Sequence, residues 1–233
     1  MGTIYLVRHA QACFGEEDYD RLSPIGGHQS RALSAWIRHC NLPVDRVVMG
    51  TETRHRQTAE CCLAGLVGTP PGSEWQVVAG FSEFDHAEVV RRFRPDLASA
   101  AAVRSWLSAT EDPGQEYQKV FAEALARWIK GDHDDYGESF AAFRARCWRA
   151  LLAVHEPSPS SLTTWVFTSG GPIATIVQHA LAIPNARIAE FTWALVNTGI
   201  TKLVYRRGGL RLVTINQYPH LELAAQPDWI TYR

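Results

Sequence analysis

The chain has few of the marks of a secreted, metal-stapled or membrane-spanning protein. Its five cysteines, Cys13, Cys40, Cys61, Cys62 and Cys147, are an odd set without CxxC or zinc-type Cys/His spacing. They read as reduced, mostly buried thiols of a cytoplasmic protein. No apolar run reaches the ~18 residues of a spanning helix. The first residues, Thr3-Ile4-Tyr5-Leu6-Val7, look like a strand and lack the basic start of a signal peptide. Met1-Gly2 fails the myristoylation pattern because Leu6 stands where Ser or Thr is required. Neither sign of charge is in excess: 23 Lys+Arg face 24 Asp+Glu, a formal net charge of −1. Nothing global therefore favours nucleic acid or a membrane, and any anion must be held by a local basic pocket. No internal repeat is visible. What remains is ordinary globular composition, 46% hydrophobic and 20% charged over 233 residues, enough to bury a core without staples.

Strand and helix patterns alternate. Short β-branched runs at Ile4 to Val7, Val44 to Met49, Trp75 to Ala79 and Thr163 to Phe167 are of the buried-strand type. Ser23-Pro24 reads as an N-cap followed by a proline at the first helical position, opening a helix with Leu33, Trp36, Ile37 and Cys40 at helical spacing. Further helices are expected from Thr53 to Leu66 and from Ser139 to His155, with a Pro/Ser linker from 157 to 161. Thr168-Ser169-Gly170-Gly171-Pro172 reads as a tight turn into another helix, with Pro172 at its first position. Ile200 to Tyr205 and Leu210 to Ile215 flank a Gly-Gly turn and suggest a hairpin. Repeated βα units imply a three-layer α/β/α sandwich on a mostly parallel sheet. Residues 84–137 are rich in Ala, Arg, Trp and acidic residues; they read as a helical cap inserted into a single domain spanning 1–233.

Ligands of such sheets collect beyond the carboxyl ends of the strands. Arg8-His9 follows the first strand, Arg54-His55-Arg56 the second, Glu83, Asp85 and His86 the third, and Ser169-Gly170-Gly171 the fourth. Arginine forks, imidazoles, a carboxylate and a glycine-rich helix start together suit a tetrahedral oxyanion. Other polar groups have plainer readings. Arg56, the Arg91, Arg92 and Arg94 group and the run from Asp132 to Asp135 are most simply solvated, and His220 is most simply structural. Trp36, Trp106, Trp128 and Trp148 are most simply packing residues. A serine nucleophile at Ser169 lacks the Gly-x-Ser-x-Gly elbow.

Leu6-Val7-Arg8-His9-Ala10 resembles the arginine–histidine signature that opens the histidine phosphatase superfamily, which includes the phosphoglycerate mutases. Leu22-Ser23-Pro24-Ile25-Gly26 with Gln29, and Arg54-His55-Arg56-Gln57-Thr58-Ala59, are similar to its next two segments. Glu83 falls where that family puts its acid, and Glu138-Ser139 with Phe143 and Arg146 resembles its following helix start. The resemblance covers most of the chain and is weakest at 87–137. It implies a hydrolase that needs no metal and no cofactor. His9 attacks phosphorus and becomes a phosphohistidine, Arg8 and Arg54 bind phosphate, and Glu83 serves as general acid and base. His9 must then be neutral at its attacking nitrogen, with its other nitrogen donating to an acceptor.

One departure stands out. Where the family carries a second histidine before Gly-Gly, this chain has Ser169, whose hydroxyl, with the amides of Gly170 and Gly171, is left to bind phosphate. His86, three residues after Glu83, is either a compensating donor or an ordinary polar cap. His55 takes a small-residue slot beside Arg54 and is the less favoured candidate. The expected function is hydrolysis of a phosphomonoester, carried either by a small molecule or by a protein. The alternative is a catalytically weak relative that binds a phospho-ligand or phosphoprotein. A phosphoglycerate mutase ranks lower, because the mutases' cap sequence is not recognisable at 84–137. Monomer and homodimer are both open.

Overall fold

The apolar run Ile4 to Val7 forms the centre of β1 (Gly2–Arg8) in the computed structural model, which describes residues 1–13, 20–155, 162–206 and 209–232. Its side chains alternate between two cores. Ile4 and Leu6 enter one, Tyr5 and Val7 the other. The same division runs through β2 (Arg46–Met49) and β4 (Thr163–Thr168). Val48 and Val166 join Ile4, while Val47, Met49, Trp165 and Phe167 join Tyr5. Strands covered on both faces have no solvent side, so they read as unbroken hydrophobic runs.

The sheet has six strands in the order β3-β2-β4-β1-β5-β6, with β3 at Gln76–Val77, β5 at Ile200–Arg206 and β6 at Gly209–Gln217. The pairs β3–β2, β2–β4 and β4–β1 are parallel, whereas β1–β5 and β5–β6 are antiparallel. Helices α1 (Pro24–His39) and α2 (Thr53–Leu63) cover one face. The other is covered by α6 (Phe140–His155) and α7 (Gly170–Leu181), with α8 (Ile188–Trp193) alongside. Between β3 and α6 the chain forms α3 (His86–Phe93), α4 (Ala100–Ser108) and α5 (Pro113–Lys130). Trp128 of α5 is buried among Phe84, Phe140 and Phe143 and donates its indole N–H to Glu138 O at 2.8 Å. A short α9 (Pro219–Leu223) follows β6.

Several local expectations hold. Ser23 caps α1, its Oγ accepting from the Gly26 amide at 3.1 Å. The hairpin is present as β5–β6, although residues 207–208 of its turn lie outside the described residues, as do the linker 157–161 and most of the acidic loop before Asp20. Others shift. The third strand is only two residues long. The chain turns into a 3-10 segment at Ala79–Phe81, where Gly80 packs against Ala150 too closely for a side chain. Helix α2 ends at Leu63, before the glycine at 65, which adopts a left-handed φ of 70°. Pro172 is the third residue of α7, not the first, a position where its missing N–H is still unpaired in a helix.

Cys13, Cys62 and Cys147 are buried, Cys61 is half-buried and Cys40 is exposed, and no disulfide links them. Among the described residues no helix is long and apolar enough to cross a membrane.

Candidate active site

Strand register brings the chemistry together. Arg8 of β1 lies beside Thr168 of β4, and Met49 of β2 beside Phe167. The residues just past these strand ends, His9, Ser169 and the segment 50–55, are therefore neighbours. The His9 amide donates to Thr168 O at 2.8 Å. Its carbonyl accepts from Asn197 Nδ2 at 3.0 Å, and the Ala10 amide donates to Thr58 Oγ1 at 3.0 Å. These bonds hold His9 from both sides, and its side chain is almost fully buried.

The imidazole state of His9 follows from one contact. Nδ1 lies 2.8 Å from the carbonyl oxygen of Ala10. A carbonyl cannot donate, so Nδ1 carries the hydrogen. Burial holds the His9 pKa well below 6.5, and the charges of Arg54 and Arg8 push it further down. The ring is therefore neutral, with an unprotonated Nε2. Ala10 O is the acceptor that the sequence alone does not reveal.

The two arginines are fixed differently. Arg8 Nη1 donates to the carbonyls of Leu195 and, at 3.1 Å, Tyr232. A side chain added at Gly170 would come within 3.7 Å of Arg8 Nε, which places Arg8 beside the start of α7. Arg54, on the first turn of α2, is buried. Its Nη1 meets Asp20 Oδ1 at 2.7 Å, and its Nη2 lies 3.5 Å from Ser169 Oγ. Asp20 also accepts from the Thr53 amide at 2.7 Å, so one carboxylate caps α2 and occupies an arginine fork.

Glu83 reaches into the same region. Its Oε2 accepts from the Gly171 amide at 3.1 Å, and its own amide donates to Glu52 Oε1 at 2.7 Å. Burial raises its pKa above 4.5, against the opposing Gly171 bond and the Arg54 charge. The loop that carries it is clamped by Arg146. That guanidinium pairs with both oxygens of Glu138, at 2.8 and 2.9 Å, and reaches the carbonyls of Ala79 and Ser82 at 2.8 and 3.0 Å.

The Gly171 amide donates to Glu83. His86 sits at the start of α3, its ring edge-on to Phe84 and Phe121 and its Nε2 4.0 Å from Glu83 Oε2. It therefore stands beside the acid, within reach of the Arg54 and Arg8 charges. The imidazole at Ser169 is that of His55. His55 Nε2 lies 2.7 Å from Ser169 Oγ, both residues are fully buried, and the His55 ring centre is 5.7 Å from that of His9. His55 Nδ1 is 3.0 Å from Glu52 Oε2. That contact brings the Glu52 pKa down to about 2 despite burial. Sequence reasoning set His55 aside and did not name Glu52. The signal lay in their spacing, since an acid three residues before a histidine at a helix start can face it.

The plainer readings fit their surroundings. His220 is buried, with Nε2 2.8 Å from Thr198 Oγ1. Asp132 pairs with Lys130 and Asp135 with Arg127. Among the described residues no group of His, Cys, Asp and Glu is arranged to hold a metal ion.

Solved structures share this architecture. Phosphoserine phosphatase from Entamoeba histolytica, solved with phosphoserine, is 19% identical, with a TM-score of 0.60 over 95% of this chain and all of that one. A phosphoglycerate mutase from Bacillus anthracis is 13% identical, with a TM-score of 0.64 over 96% of each chain. A putative alpha-ribazole-5'-P phosphatase from Escherichia coli is 16% identical, with a TM-score of 0.62 over 94% of this chain and 98% of that one. At these identities the likeness is one of fold, which is phosphoglycerate mutase-like. No curated protein matches in sequence. The family model of the histidine phosphatase superfamily (branch 1) matches residues 4–120 and 102–218, and with that match over most of its length the chain belongs to this superfamily.

Proposed function

We propose that the protein is a phosphatase that hydrolyses a phosphomonoester through a phosphohistidine on His9. The observation that carries this reading is the state of His9: Nδ1–H bound to Ala10 O, a neutral ring and an unprotonated Nε2. Nε2 attacks phosphorus, and the bond from phosphorus to the ester oxygen breaks. Arg8 and Arg54, whose charges both act on His9, offset charge on the phosphoryl oxygens. For Arg54 this requires exchange of the Asp20 carboxylate for phosphate. Glu83, whose raised pKa favours the protonated acid, gives its hydrogen to the leaving alkoxide. It then takes a hydrogen from water as that water attacks the phosphohistidine, which releases phosphate and restores both groups. A general acid/base so placed is worth about 10²–10⁴-fold.

The alternative reading, a phospho-ligand binder with little turnover, rests on the neutral serine at 169. One experiment separates the two. Aryl phosphate hydrolysis is measured with EDTA present for wild type and His9→Ala, alongside acid-labile labelling of the protein by radioactive substrate. Wild-type turnover and a label, both lost in His9→Ala, are expected. Phosphate binding without turnover or label overturns the catalytic reading in favour of the binder.

A further inference from the structure

We propose that Glu52, His55 and Ser169 form one unit of touching side chains that supplies the phosphoryl site with a donor. In it His55 holds Ser169 Oγ, and the Ser169 hydroxyl hydrogen is given to a phosphoryl oxygen. The proposal rests on the phosphate site described above and assigns roles there to His55 and Glu52.

Three observations carry it. The first is the chain of contacts, 3.0 Å from Glu52 Oε2 to His55 Nδ1 and 2.7 Å from His55 Nε2 to Ser169 Oγ, with His55 and Ser169 shielded from water. The second is what Ser169 forgoes. It is the N-cap of α7, yet its side chain makes no capping bond, the interaction that serine at this position usually supplies. Its oxygen is turned towards His55 and the Arg54 fork instead. The third is the fit of the ring. A side chain at Gly50 would come within 2.5 Å of His55 Nδ1 and 2.7 Å of Phe81 O, so the bare glycine leaves the space that the imidazole fills. The second oxygen of Glu52 accepts from the Glu83 amide. One carboxylate thus positions both the donor unit and the general acid.

The hydrogens can be counted. With its hydrogen on Nε2, His55 donates to Ser169 Oγ, and the serine hydrogen is left for a phosphoryl oxygen. The groups around His55 are Glu52 from its own turn, Arg54 beside it, His9 and Arg8 from the end of β1, Ser169 at the start of α7 and Glu83 across Glu52. Ser169 touches the ligand; His55 and Glu52 are positioning residues.

Orthovanadate binding tests this without requiring turnover. Calorimetry reads the affinity for wild type, His55→Gln, Ser169→Ala, the double variant and Glu52→Gln. A hydrogen bond to a charged group is worth about 1.5–3 kcal/mol, or roughly 10- to 150-fold. Each single variant is therefore expected to weaken vanadate about 10-fold or more. The double variant should be no weaker than the worse single variant by more than about threefold, because the residues act as a unit. Glu52→Gln gives a second route to the same loss if His55→Gln does not fold. Affinity within about twofold of wild type, or losses that multiply in the double variant, overturns the proposal, as does a wild type that binds no vanadate. His9 labelling is scored separately. A protein that shows the coupling but takes no label retains this inference and loses the catalytic reading; one that labels and turns over unchanged in His55→Gln does the reverse.

Discussion

Gly171→Ala tests whether close packing at the start of α7 aims the proposed acid. A methyl at this position would lie 2.1 Å from Glu83 Oε1, 3.0 Å from its Cδ and 3.1 Å from Phe143 Cζ. Phe143 is itself buried, so the methyl cannot relieve the clash on that side. The carboxyl group must retreat by about 1 Å to reach ordinary contact, and in doing so it gives up the Gly171 amide. The lost bond costs about 0.5–1.5 kcal/mol. Replacing glycine in a helix returns up to about 1 kcal/mol. Stability should therefore change little, and Tm should move by no more than about 5 °C. Activity should not be spared. Displacing the acid forfeits at least the lower end of its contribution, about 100-fold on an alkyl phosphate. A nitrophenyl phosphate has a leaving group that departs without a proton. With that substrate His9 should still be labelled at nearly the wild-type rate, while hydrolysis of the phosphohistidine, which needs Glu83 as base, slows. The signature is a burst of nitrophenol followed by slow turnover and trapped label. Alkyl phosphate turnover within about threefold of wild type, in a folded variant, refutes the argument.

Other substitutions probe the supports of the site. Asp20→Asn removes the carboxylate that occupies the Arg54 fork; inorganic phosphate, titrated calorimetrically, should bind about 2- to 10-fold tighter, and weaker binding contradicts the assignment of Arg54. Arg146→Met releases the loop before Glu83 and leaves Glu138 and the carbonyls of Ala79 and Ser82 without their partner. It should cost about 2–3 kcal/mol in denaturant unfolding and lower kcat more than it raises KM. In a pH profile of kcat/KM corrected for substrate ionisation, the acid limb should lie below pH 6.5, because His9 stays neutral there. The alkaline limb should lie above pH 4.5 and vanish in Glu83→Gln, because the raised pKa keeps the acid protonated past its usual value. Stability should respond to His220, whose burial brings its pKa from 6.5 to about 3. Below pH 6.5 the unfolded chain binds a proton that the folded chain refuses, so stability falls as pH falls. Between pH 6.5 and 4 this loss is about 2–3 kcal/mol, and His220→Gln should flatten that part of the curve in chemical unfolding measured across pH.

Much of the fold was legible because its signals are local. The doubly covered strands read as hydrophobic runs, Ser23-Pro24 marked the start of α1, and the hairpin β5–β6 was visible in two flanking apolar segments. The errors arose where tertiary contacts overrode pattern. Trp75 to Ala79 has strand composition, but only Met49 and its neighbour are available for pairing, and the chain turns at Ala79 so that Gly80 can pack on α6.

The site divides in the same way. Arg8, His9, Arg54, Glu83 and Ser169 each follow a strand, and in a parallel sheet that position alone predicts convergence. Partner choice was not legible, because it depends on register. His55 and Ser169 are 114 residues apart, and they meet because β2 and β4 pair with Met49 opposite Phe167. The spacing of His86 from Glu83 suggested a shared face. The two do approach each other, but Asp85 caps α3 there and turns His86 towards Phe121, on the acid's side of the pocket. A histidine partner for Ser169 is thus poorly sought by sequence proximity. A neighbouring strand end supplies it as readily as the next turn of the same loop.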